Sequence, residues 1–154
     1  PANNDDNSSS GGGSDNPGGG NDNPGGNNDD SDDEIMSNKL RITIGSSSFD
    51  ATLEDNETVK AFKKLLPMTV NMPDLNRNEK YYYLSGSLPT AASNPGTILT
   101  GDLMLYGSNC VVLFYESFST SYSYTRLGRV NNSSGLASAL GSGSVTVTFE
   151  LQKE

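Results

Sequence analysis

From Leu40 onward, apolar side chains recur in two alternating rhythms, and the order of those rhythms predicts the architecture. Leu40, Ile42 and Ile44 alternate with Arg41 and Thr43, and Phe49, Ala51 and Leu53 alternate again after a Gly45-Ser46-Ser47-Ser48 turn. A period of two on both sides of a Gly/Ser turn predicts a β-hairpin with one face in a core and the other in water. The rhythm then changes. Asp55 or Asn56 can cap a helix in which Val59, Phe62, Leu65 and Leu66 recur at spacings of three and four, with Lys60, Lys63 and Lys64 directed to solvent. Pro67 stops it.

Met68, Val70 and Met72 alternate with Thr69 and Asn71 between two prolines, the pattern of a short edge strand. Residues 81–84 predict a further strand. Residues 103–106 and 110–115 are continuous apolar runs around a Gly107-Ser108-Asn109 turn. Runs without alternation are strands covered on both faces, so this pair is expected at the centre of the sheet. Residues 125–130 add another strand. Ser133 and Ser134 can start a short helix through Leu136 and Leu140 that Gly141 ends, and Val145, Val147, Phe149 and Leu151 close the domain with a clean alternation. The order is β-β-α-β-β-β-β-β-α-β, a mainly β domain. Eight strands can close into a small barrel filled by its own side chains, with the two short helices across its ends.

The 34 residues before this domain have another composition. They hold eight Asp, one Glu and no Lys or Arg, with Ala2 the only aliphatic side chain, whereas residues 35–154 hold ten acidic and ten basic side chains. The formal charge of −9 therefore belongs to the leading segment, and the domain itself is neutral. A segment of Asn, Asp, Gly, Ser and Pro has nothing to bury against the entropy of folding, so residues 1–34 are expected to be a disordered acidic tether to a domain at 35–154. Its degenerate Asn-Pro-Gly-Gly repeat, at Pro17 and Pro24, lacks the apolar residue that a calcium-binding β-helix turn requires. A polar leash before a compact domain is the composition of an exported lipoprotein after removal of its signal. The expectation is an extracytoplasmic, membrane-anchored protein with a lipid anchor upstream. No apolar run approaches the ~20 residues of a membrane span.

Several chemistries are excluded by residue type. The chain has no His, no Trp and one cysteine, Cys110, inside an apolar run. That rules out an internal disulfide, a Ser-His-Asp triad and a His/Cys zinc site, and it leaves Cys110 as a small buried hydrophobe. No phosphate loop or dinucleotide fingerprint is present, so no cofactor or metal is expected. Glu54, Asp55 and Glu57 sit at a helix start, where carboxylates complement the helix dipole rather than serve as an acid/base pair. A neutral domain behind an acidic leader has no surface for nucleic acid.

One constellation stands out. Phe118, Tyr122 and Tyr124 punctuate a Ser-rich stretch that leads into Arg126, and rings beside a guanidinium can form a shallow recognition surface for a peptide, glycan or protein ligand. Tyr81, Tyr82 and Tyr83 form a second aromatic group, which alternation splits between two faces.

Three blocks carry a likeness to a known family: residues 49–58 (Phe-Asp-Ala-Thr-Leu-Glu-Asp-Asn-Glu-Thr), Gly101 to Tyr106 with Asn109, Phe114 and Tyr115, and Arg126-Leu-Gly-Arg-Val130. Together they resemble the bacterial cyclophilin-like family, small barrels mostly without assigned activity, over nearly all of residues 39–151. The resemblance implies a closed cyclophilin-like β-barrel. Prolyl isomerases of that fold use an Arg beside the prolyl carbonyl with His and Trp nearby, and this chain has neither His nor Trp and no Phe-His-Arg signature. The resulting expectation is a non-catalytic binding or interaction module on a tether, with a divergent prolyl isomerase as one alternative and an accessory domain of a larger redox assembly as another.

Overall fold

A computed structural model describes residues 37–153. The tether expected over residues 1–34 lies outside them. Strand β1 (Lys39–Ile44) turns through Gly45 and Ser46 into β2 (Ser47–Leu53), with Leu40, Ile42, Ala51 and Leu53 on the buried face as the alternation requires. Helix α1 (Glu57–Lys63) starts at Asn56, whose side chain accepts from the Val59 N–H at 2.8 Å. It buries Val59 and Phe62, but Lys63 departs from the expected solvent face: it is buried, and its Nζ donates to Asn38 Oδ1 at 2.7 Å. The long aliphatic stem covers core while the charge finds an amide.

Then follow β3 (Met68–Met72), β4 (Asp74–Leu75), β5 (Glu79–Tyr83), β6 (Thr97–Ile98), β7 (Asp102–Tyr106), β8 (Cys110–Phe114), β9 (Phe118–Ser119), β10 (Thr125–Val130), helix α2 (Leu136–Leu140) and β11 (Val145–Leu151). Nine strands form one antiparallel sheet in the order β3-β11-β1-β2-β10-β7-β8-β5-β4. The eight strands read from periodicity are all in it. The additions are two-residue pieces too short for any period to register: β4 at the end of that sheet, and β6 paired with β9.

The sheet curls into a nearly closed barrel, and the chain itself bridges the gap. Residues 68–75 run as one strand broken at Pro73: the first half pairs with β11 and the second with β5, while the Pro73 carbonyl accepts from the Tyr81 N–H at 3.1 Å. Pro73 offers no N–H to either neighbour, so the break falls where the ladder loses least. The two helices lie at opposite ends of the strands. α1 follows β2 where β2 meets the start of β1, and α2 precedes β11 at the end where Val145 faces Met72.

Inside lies one core, in which Phe62 meets Phe149 edge to face with ring centroids 6.3 Å apart. A second apolar cluster sits on the outer face of the barrel: Ile98, Met104, Cys110, Val112, Phe114 and Tyr124, with Tyr81 and Phe118 packed against it. This explains the continuous apolar runs. β7 and β8 have core on both faces because the segments carrying β6 and β9 fold over their outer side.

Candidate functional site

Many of the residues that gave the family likeness are architectural. Asp102 is fully buried; its Oδ2 accepts from the Leu99 N–H at 2.9 Å and its Oδ1 from Arg129 Nε at 2.7 Å, tying the turn before β7 to β10. A Cβ on Gly128 would stand 2.4 Å from the Thr52 carbonyl oxygen, so only glycine lets β10 approach β2 here, beside the register shift between Arg126 and Gly128. Tyr115 donates its hydroxyl to Asp74 Oδ1, which also accepts from Lys80 Nζ at 3.1 Å.

That last group merits a chemical test, because Lys80 has no exposed surface. Its ammonium also donates to the carbonyls of Gly141 and Gly143, at 2.8 and 2.5 Å, and lies 5.3 Å from the Tyr115 ring centroid. All three N–H donors are spent. Burial pulls the Asp74 carboxyl upward, but the Tyr115 hydroxyl and Lys80 outweigh it and hold the group below its ordinary 3.8. Burial and the Asp74 carboxylate push the Tyr115 phenol up to about 12, far from a usable base. The cluster is an ionic clasp between β4, β5, the residue that follows β8 and the loop after α2.

The four residues singled out in the Ser-rich stretch part company in three dimensions. Phe118 is half-buried against Phe114, with ring centroids 5.7 Å apart. Tyr124 is buried between Phe114 and Tyr106 at 5.5 and 5.6 Å, and is therefore a core residue of the outer cluster rather than an exposed ring. Arg126 projects instead into an open groove of about 590 Å³ lined by Thr52, Glu54, Arg129, Val130 and Asn131 as well. Among the described residues Arg126 forms no ion pair, and the groove lining holds no aromatic ring. Of the four, Tyr122 is the ring that stands largely in solvent, 61% exposed.

Tyr122 has company that its position in the sequence does not disclose. Its ring meets that of Tyr106 edge to face at 6.0 Å, and Tyr106 is itself 45% exposed. In the register of the sheet, Tyr106 faces Cys110 and Cys110 faces Tyr83, so these three residues form one row across β7, β8 and β5. Tyr83 is 61% exposed and rests edge to face on Tyr81 at 5.8 Å. Cys110 lies low between the two tyrosines, buried, and burial pushes its thiol above the ordinary range. Tyr82 turns to the barrel interior, as alternation requires. The product is a shelf of three open tyrosine rings, Tyr83, Tyr106 and Tyr122, standing on the outer cluster. The signal for Tyr83 was the triple tyrosine; that for Tyr106 was one polar-tipped ring ending an apolar run.

Comparison with known proteins places this barrel. The profile of the cyclophilin-like family matches residues 42–150. The solution structure of a hypothetical protein from Archaeoglobus fulgidus is similar at a TM-score of 0.58 and 21% identity, covering 77% of this chain and 97% of that one, which is a likeness of fold. None of the curated proteins compared with the chain matches it.

Proposed function

The chain belongs to the cyclophilin-like family, and from that premise we propose that its barrel is a non-catalytic binding module whose shelf of Tyr83, Tyr106 and Tyr122 meets a peptide or glycan. The observation that carries the reading is the exposure of three neighbouring tyrosines on paired strands and a loop packed against them. Tyrosine gives large contact area with few rotamers to freeze, and its hydroxyl supplies a hydrogen bond at the rim. The base beneath is well packed, so little order has to be gained on binding. On this reading residues 1–34 serve as a spacer of roughly 30 Å root-mean-square span that displays the module outside a cell.

The test is a map of amide shifts by NMR on titration with neutral oligosaccharides and neutral peptides. Perturbations should gather at Tyr83, Tyr106, Ser108 and Tyr122; perturbations gathered around Arg126 and Thr52 instead would move the function to the groove.

One observation favours a second reading, a divergent prolyl isomerase: Arg126 lines an open groove without an ion pair among the described residues. A guanidinium can polarise a prolyl carbonyl. The groove, however, is lined by polar side chains apart from Val130, and the proline ring needs an apolar seat. We expect no acceleration of isomerisation in an Xaa-Pro peptide assay. Acceleration that Arg126→Ala abolishes would establish the enzyme.

A further inference from the structure

The tyrosine shelf has a charge pattern that narrows its ligand. Between Lys80 and Arg126 the sequence holds two charged side chains, Asp102 and Glu116. Asp102 is buried and paired with Arg129, and Glu116 follows β8 at the end away from Cys110. Glu79 shares the outer face of β5 but lies at the opposite end of that strand from Tyr83. The loops that border the shelf, residues 84–88, 107–109 and 120–123, consist of Ser, Gly, Thr, Asn, Leu and Tyr. The nearest cation by register is Arg126, which faces Met104 and lines the groove with Thr52 and Glu54, so a charged ligand laid on the rings would lose water and meet no charged side chain in the bordering loops. A neutral one finds hydroxyls and amides that donate and accept equally.

The layout of the rings selects further. Tyr83 and Tyr106 are separated by one strand, which places their backbones about 10 Å apart at ordinary strand spacing. Tyr122 comes from the lead-in to β10, on the far side of β7 from Tyr83, so it lengthens the row instead of thickening it. Between the two sheet tyrosines the small Cys110 side chain leaves a shallow dip. The row is thus longer than one sugar ring, with Tyr106 and Tyr122 set nearly perpendicular, 79° between their planes, at one end and Tyr83 at the other. An extended peptide is held by pockets for alternate side chains or by a long free sheet edge. β7 and β8 are paired on both sides, and β5 has β4 and the Pro73 carbonyl along its other side as far as Tyr81, which leaves two residues of edge beside Tyr83. A pyranose offers a flat C–H face for each tyrosine and a rim of hydroxyls for the bordering Ser and Asn.

Building on the binding reading above, we infer that the Tyr83–Tyr106–Tyr122 row binds a linear, uncharged glycan, with sugar rings packed against Tyr83 and into the corner that Tyr106 and Tyr122 make, and hydroxyls bonded to the bordering loops. The full chain is titrated with cellohexaose, mannohexaose, xylohexaose, maltohexaose and fully N-acetylated chitohexaose. An acidic galacturonic hexasaccharide and a neutral proline-rich peptide serve as contrasts. Binding is followed by calorimetry and by tyrosine fluorescence, which no tryptophan obscures in this chain. At least one neutral hexasaccharide should bind, its monosaccharide about tenfold or more weaker, and the acidic sugar not at all. Tyr83→Ala and Tyr122→Ala should each weaken binding about tenfold with an unchanged melting temperature, because these rings stand in solvent. Binding by no neutral hexasaccharide, or binding indifferent to both substitutions, overturns the inference. If the neutral peptide alone binds and the tyrosine substitutions abolish it, the glycan assignment falls while the binding reading stands. If nothing binds, both fall.

Discussion

Tyr124 lies between Phe114 and Tyr106 with 5% of its surface exposed, whereas Tyr122, two residues earlier, stands in solvent over the edge of Tyr106. The two are chemically identical, and their environments set opposite consequences for removal. Tyr124→Ala takes a packed ring from the outer cluster and leaves a void under the β6–β9 cover, so it should cost about 3 kcal/mol of unfolding free energy. Tyr122→Ala removes a ring that supports little, and the expected change stays within about 0.5 kcal/mol. Denaturant melts of the two single variants read this directly; equal losses would mean that Tyr122 is also structural and that the shelf is shorter than described. Alternation and spacing found both tyrosines but could not separate them. The Ser-rich stretch has no period to assign a face, and the cover that buries Tyr124 comes from residues 97–98, far away in sequence.

At the scale of elements, the clasp on β5 decides how one end of the barrel holds. Lys80 reaches Asp74 on β4 and two carbonyls beyond α2, so Lys80→Met leaves a carboxylate and both carbonyls without their cation. Breaking a buried pair from one side should destabilise the fold by about 3 kcal/mol or more, measured by denaturant unfolding at neutral pH. A loss under about 1 kcal/mol would show that water can replace the ammonium. Glu79, next to Lys80 on the same strand, gives β5 a pH dependence of its own. Burial first, and then the neighbouring Asp74 charge, push its carboxyl from 4.5 up to about 7. A carboxyl that holds its proton more tightly folded than unfolded contributes stability below the unfolded value, and this contribution is lost as the pH rises through the folded one. The melting temperature should therefore fall between about pH 5 and pH 8, and Glu79→Gln should flatten that slope. Asp74 acts in the other direction: its stabilising charge is present above 3.8 and is lost as the pH falls through its lowered folded value. A wild-type profile that is flat or rising from about pH 5 to pH 8 would contradict the assignment for Glu79.

For the whole molecule, the relation between leader and barrel is testable by deletion. Residues 1–34 carry no apolar side chain larger than Ala2 apart from two prolines beyond the first residue, and so have almost nothing to contribute to a core. Removing them should leave the melting temperature within about a degree or two, since residues of this composition have little apolar surface to bury. A fall of several degrees, read by calorimetry, would mean that the acidic segment docks on the barrel. The sequence by itself determined the order of strands and helices along the chain, the two-sided burial of β7 and β8 though not the central place expected from it, and the absence of the His-based chemistries, because each rests on local periodicity or on residue type alone. It also indicated which face most strand residues take, since a strand has two faces and one of them must be dry. Only the tertiary structure decided what lies outside the barrel. That the segments bearing β6 and β9 fold over the outer face, that Tyr124 and Phe118 go under while Arg126 turns to a groove with Thr52 and Glu54, and that Tyr83, Tyr106 and Tyr122 come into one row all depend on pairings between residues distant in the chain. Those pairings are set by the register of a closing sheet, and register is a property of the whole barrel that no local window of sequence contains.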